Sequence, residues 1–165
     1  MPRILIPSVL TLSAAGSPAD TRYVPAVRGV ILLAGHLGQV EHLLQSLSPK
    51  IRKQVIDSWT DRVATERATT WLLPADEHIP IWIKGQHPLV AVRVTTHPLC
   101  VELCNAFGGF IVSTSANPAG LNPAQNLEQA QGYFGASLNY LEGDLGLSQE
   151  PSRILNALTG EVIRA

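Results

Sequence analysis

Leu89-Val-Ala-Val-Arg-Val-Thr95 reads as a buried strand with an arginine in its middle, and Phe110-Ile-Val-Ser-Thr-Ser-Ala-Asn-Pro-Ala-Gly120 reads as a short strand that runs out into hydroxyl and amide side chains before breaking at Pro118 and Gly120. Removing a guanidinium from water costs on the order of several kcal/mol, so Arg93 is expected to face an anionic partner or a wet cleft. In open α/β sheets, ligands collect beyond the carboxyl ends of strands. Ser113, Thr114, Ser115 and Asn117 then make a polar cradle of hydroxyl and backbone N–H donors suited to a phosphate or carboxylate. On composition alone, a Ser/Thr-rich turn that satisfies its own backbone is the simpler reading.

Working outward, apolar runs alternate with segments of helical spacing. Strands are expected at Gly29 to Ala34, Thr70 to Leu73, Leu89 to Thr95, Phe110 to Ser113 and Leu138 to Leu141. Helices are expected over Leu37 to Leu47, from Pro49 to Trp59, from His97 to Phe107 and from Leu127 to Phe134 with Asn126 as N-cap. A hairpin across Leu158-Thr-Gly-Glu161 closes the chain. The alternation predicts an α/β sheet domain.

The chain has 165 residues and a formal charge of −1, enough for one core and without a global pull toward nucleic acid. No apolar run reaches membrane-spanning length. Met1 to Ala15 faintly imitates a signal peptide, but Pro7 and Ser8 interrupt its apolar centre, and a short strand with a loop in a cytoplasmic protein is the expectation. His97, Cys100 and Cys104 share helical spacing without an evident fourth metal ligand, so both cysteines are expected as buried free thiols. Lys50, Arg52 and Lys53 form a small basic cluster, expected to be a solvated helix face.

Three segments taken together, Val90 to Leu99, Ser113-Thr-Ser-Ala-Asn117 with Gly120, and Pro151-Ser-Arg-Ile154 followed by Ala157 to Arg164, resemble the YrdC (TsaC) family, the bacterial threonylcarbamoyl-AMP synthases. The resemblance implies a YrdC-like twisted open sheet with flanking helices and a concave ligand groove. It implies synthesis of L-threonylcarbamoyladenylate from L-threonine, bicarbonate and ATP, with Mg²⁺ accompanying ATP and pyrophosphate released, for the threonylcarbamoyladenosine modification of tRNA. tRNA or other tRNA-modification proteins are implied as partners, and no membrane. Carried over by motif, Arg93, Ser115 and Ser152 would bind threonine or its carbamate, and Thr70, Ser113, Asn117, Arg164 and Arg22 would bind ATP. No protein nucleophile or metal ligand is implied.

The sequence also departs from the family pattern. No counterpart of the family's Pro-Thr-x-Thr-x-Tyr-Gly precedes Arg22, Val24 stands where the arginine of Lys-x-Arg is expected, and Glu66-Arg-Ala68 replaces Pro-Gly-Pro. The glycine of the C-terminal Arg-x-Gly signature has no counterpart after Ala165. Residues 1–27, which lack Lys, Glu, Asn, Gln and His, are expected to be a divergent, truncated or frame-shifted segment ahead of a YrdC-like domain at 28–165, with Thr60 to Arg67 a second disturbed patch. Losing one preorganised charge contact costs roughly 10²–10³ in rate, so the alternative is a catalytically impaired relative that binds nucleotide or structured RNA.

Overall fold

The computed structural model describes residues 30–61, 63, 66–141, 143 and 150–165. Arg22, Val24 and the divergent segment lie outside the described residues. Among the described residues six strands form one mixed sheet in the order β4-β1-β3-β2-β5-β6: β1 (Ile31–Ala34), β2 (Thr69–Pro74), β3 (Leu89–Val94), β4 (Ile111–Ser113), β5 (Arg153–Asn156) and β6 (Val162–Arg164). β1 runs parallel to β3 and β2 parallel to β5, while the β1–β4, β2–β3 and β5–β6 pairs are antiparallel.

Side-chain alternation gives the sheet two unlike faces. Leu32, Ala34, Val90, Val92, Trp71 and Leu73 point to the first, where they form the main core with Val40, Leu43, Val55 and Trp59. These last four come from the segment around α1 (Glu41–Leu44) and from α2 (Pro49–Thr60). α2 starts where Pro49 and Ser48 predict: Ser48 Oγ accepts from the Ile51 amide, and proline occupies the first turn. On the second face Leu33 and Ile111 pack with Cys104 of α4 (Pro98–Phe107) at the β1–β4 side only. Across β3, β2 and β5 the second face carries the half-buried Ala91, Arg93, Leu72 and Ile154 together with the buried Thr70.

Gly35 lets α4 approach β1, since a Cβ there would lie 3.0 Å from Cys104 Cβ and 3.2 Å from the Val101 carbonyl oxygen. The same junction breaks the expected Leu37 to Leu47 helix, which is a 3-10 turn at Leu37–Gln39 followed by the one-turn α1. Gln39 Oε1 accepts from the Gly35 amide at 2.7 Å and its Nε2 donates to the Cys104 carbonyl, so this side chain ties the segment to the sheet and α4. Arg52 then donates to the carbonyls of Leu44 and Gln45, occupying acceptors at the end of α1.

Two further differences concern short elements. α3 (Ile81–Lys84) was not expected; it is a single turn after Pro80, too short for a periodic signal. The strand expected at Leu138 to Leu141 is not one. The chain is extended at Leu138 but has no ladder partner among the described residues, and Tyr140 Oη instead donates to the Gly135 carbonyl just after α5 (Leu127–Phe134). α5 itself begins as expected, with Asn126 Oδ1 accepting from the Gln129 amide at 2.9 Å.

Candidate functional site

The second face gathers most of the predicted side chains. Arg93 pairs across the ladder with Leu33, and the β2–β3 register that sets Trp71 opposite Val92 places Thr70 beside Arg93 one step further along. Thr70 in turn pairs with Ile154 of β5, next to Ser152 in sequence. Thr70 Oγ1 and Ser152 Oγ share a hydrogen bond of 2.8 Å, and both residues are buried. Arg164 donates through Nε and Nη2 to the Ser152 carbonyl at 2.9 and 2.7 Å, and Nη2 also lies 3.1 Å from Ser152 Oγ. Thr70, Ser152 and Arg164, predicted from separate motifs, therefore form one connected cluster beside Arg93.

This cluster lies at the carboxyl ends of β1 and β3 and the amino ends of β2 and β5, because the sheet is mixed. Arg93 reaches toward α4 on the same face. Burial raises the Cys100 thiol above its ordinary value, and the positive charge of Arg93 acts in the opposite sense. Cys104 is pushed up to about 11, first by burial and then by the neighbouring Cys100, and its Sγ donates to the Leu33 carbonyl. Both thiols are free, Cys104 buried as expected but Cys100 only half-buried at the margin of the cluster around Cys104. Among the described residues no group of three or more His, Cys, Asp or Glu could hold a metal ion.

Ser113 shares the Arg93 face but lies toward the other end of the strands, since β4 is antiparallel to β1 and Ser113 pairs with Ile31. Beyond it, Thr114 and Ser115 are exposed. Asn117 is turned inward: its Nδ2 donates to the Leu121 carbonyl at 2.7 Å and the Pro118 carbonyl at 3.0 Å. Its Oδ1 is buried without a hydrogen-bond partner among the described residues. Asn117 thus closes the loop that presents Ser115.

Two members of the basic cluster on α2 are engaged locally, with Arg52 on the Leu44 and Gln45 carbonyls and Lys53 paired to Asp57 at 2.7 Å, while Lys50 is exposed. Burial tends to raise Asp76, but its bond to His42 Nδ1 and the His78 amide bond outweigh that and hold its carboxyl below the usual value. A cleft of about 120 Å³ between α2 and the start of β2, lined by Asp57, Asp61, Arg67 and Arg153 among others, is too small for a nucleotide. Sequence reasoning missed Arg67 and Arg153. Arg153 Nε donates to Thr69 Oγ1 at 2.8 Å, and Arg67 binds the backbone on either side of the Ser152–Arg164 hairpin.

The profile of the Sua5, YciO and YrdC family, described as telomere recombination, matches residues 21–165, and the chain belongs to that family. It is 71% identical over 140 residues to the threonylcarbamoyl-AMP synthase of Acinetobacter baumannii, a match covering 85% of this chain and 74% of that protein. The fold agrees with Sua5 from P. abyssi, both as its H234A/Y235A variant (TM-score 0.70, 21% identity) and in complex with L-threonine (TM-score 0.65, 22% identity). Those matches cover 81% and 80% of this chain but only 39% and 37% of the Sua5 chains, so this chain spans well under half of Sua5. The YrdC-like α/β sheet with flanking helices expected from the sequence is borne out.

Proposed function

We propose that this chain makes L-threonylcarbamoyladenylate from L-threonine, bicarbonate and ATP. The observation that carries the reading is the placement of Arg93 on the same face of the sheet as the Thr70–Ser152–Arg164 cluster, in a chain 71% identical to a protein named threonylcarbamoyl-AMP synthase. The threonine amine captures carbon dioxide derived from bicarbonate as a carbamate. A carbamate oxygen then attacks the α-phosphorus of ATP, the bond to the bridging oxygen of the β-phosphate breaks, and pyrophosphate leaves. This chemistry needs position and charge neutralisation rather than a protein nucleophile.

In this reading Arg93 pairs with the threonine carboxylate or the carbamate through its planar fork, and Ser152 and Ser115 lie near the amino acid. Thr70 and Arg164, which bond to Ser152, and Ser113 and Asn117 toward the other end of the face are assigned to ATP by motif, as is Arg22 from sequence alone. From strand spacing and rise, the Cα atoms of Ser113 and Arg93 are about 12 Å apart across the sheet, a span suited to an amino-acid adenylate lying across the face. Mg²⁺ would enter on the ATP phosphates, where it would bridge and neutralise their charge. The product would serve threonylcarbamoyladenosine modification of tRNA in the cytoplasm. No helix among the described residues is long and apolar enough to cross a membrane. The local commitments of Arg52 and Lys53 give the RNA-binding alternative no support.

The test is pyrophosphate release from Mg-ATP by the purified protein, with and without L-threonine and bicarbonate. Release requiring both is expected, and Arg93→Ala should lower it about 10²-fold or more while circular dichroism stays unchanged. Normal turnover by the folded variant would remove Arg93 from the site.

A further inference from the structure

We infer that Arg67 is a positioning residue for this site, clipping together the three chain segments that carry Thr70, Ser152 and Arg164; the inference rests on the synthase reading above. Arg67 Nε donates to the Pro151 carbonyl at 2.5 Å, Nη2 donates to the Ala165 carbonyl at 2.9 Å, and Nη1 lies 3.3 Å from Glu150 Oε2. Its acceptors are 84 and 98 residues away in sequence, yet each adjoins a site residue: Pro151 precedes Ser152, and Ala165 follows Arg164. Arg67 itself enters β2 three positions before Thr70, and the Arg153 amide donates to the Ala68 carbonyl at 3.0 Å alongside.

The hairpin needs such a clip. β6 is a three-residue edge strand with every side chain exposed, and its ladder to β5 is irregular between Ile154 and Leu155. Short edge strands fray unless held. Toward the turn, Asn156 Oδ1 accepts from the Leu158 and Thr159 amides, but at the far end Arg67 reaches the carbonyl just beyond Arg164. A guanidinium suits this work because its donors form a rigid planar fork, whereas an ammonium is a compact point charge on a flexible stem. Arg67 stands within Glu66-Arg-Ala68, where the family pattern has Pro-Gly-Pro, so a side-chain clip replaces a rigid backbone turn at the entry to β2.

The experiment compares the full chain with Arg67→Ala and Arg67→Lys, measuring KM for L-threonine, KM for ATP and kcat by pyrophosphate release, together with amide hydrogen exchange across residues 152–165. Misplacing a binding group from a distance costs up to about 10²-fold, so Arg67→Ala is expected to raise the threonine KM about ten-fold with a smaller change in kcat. Arg67→Lys should restore part of the loss, and exchange at the Ile154, Asn156 and Arg164 amides should quicken in Arg67→Ala. A lower melting temperature with unchanged KM would make Arg67 merely structural and overturn the inference. If the parent chain shows no threonine-dependent release, the synthase reading itself fails; hydrogen exchange then judges the clip alone, and unchanged protection in Arg67→Ala overturns it.

Discussion

The polar cluster around Ser152 and the loop around Ser115 occupy the same face of one sheet, yet the first is assembled from three distant segments and the second is closed by its own neighbours. Ser152 is buried and shares hydrogen bonds with Thr70 and Arg164, so its hydroxyl is oriented before any ligand arrives. Ser115 is exposed, and the loop that carries it is held by Asn117 bonds to Pro118 and Leu121. A hydroxyl locked in a buried network is preorganised at a cost in tolerance, because removing one member leaves the others unsatisfied. An exposed hydroxyl on a closed loop is free to follow its ligand.

Substitution in each region sharpens the contrast. The largest effect is expected from Ser152→Ala, which strips a buried partner from Thr70 and Arg164; about 1–3 kcal/mol of stability should be lost in urea unfolding. A cost below about 0.5 kcal/mol would mean the network adds little and the two regions are built alike. Next comes Asn117→Ala, which cuts two loop bonds and should cost about 1 kcal/mol, whereas Ser115→Ala should stay within about 0.5 kcal/mol of the parent while slowing threonine-dependent turnover. Equal destabilisation by the two loop variants would show that Ser115 is structural.

The smallest effect lies away from both regions, in the part-exposed Asp76 carboxyl. Its folded pKa is held below the ordinary 3.8, so its contribution to stability is present above that value and is lost as pH falls through the lower folded value. Asp76→Asn should therefore flatten the acid side of the stability profile slightly, as followed by thermal melts between about pH 5 and pH 3. A profile of unchanged steepness would remove Asp76 from the acid response.

Local signals in the chain accounted for α2, α4 and α5, whose entries carry Ser48-Pro49, His97-Pro98 and Asn126. The apolar runs of β1 to β4 were legible for the same reason, as was Arg93, because a charge inside such a run stands out against its neighbours. The Leu37 to Leu47 segment misled because its apolar spacing suits a helix, while Gln39 spends its side chain on Gly35 and Cys104, the latter 65 residues away. Leu138 to Leu141 misled because β-prone residues form a strand only against a partner, and none pairs with them among the described residues. Arg67 was invisible because nothing local distinguishes an arginine that will bond to the far end of the chain.

The sequence alone marked out β1 to β4, the helices α2, α4 and α5, the family and the candidate residues, since periodicity, caps and motifs act within a few positions of one another. The tertiary structure alone decided which of those residues meet. Strand order and register brought Thr70 to Ser152 across 82 residues and carried Arg67 to both sides of the closing hairpin. Antiparallel pairing of β4 placed Ser113 toward the other end of the same face. The physical reason is that side-chain direction follows from alternation along a strand, whereas adjacency follows from pairing between strands, which no short stretch of chain encodes.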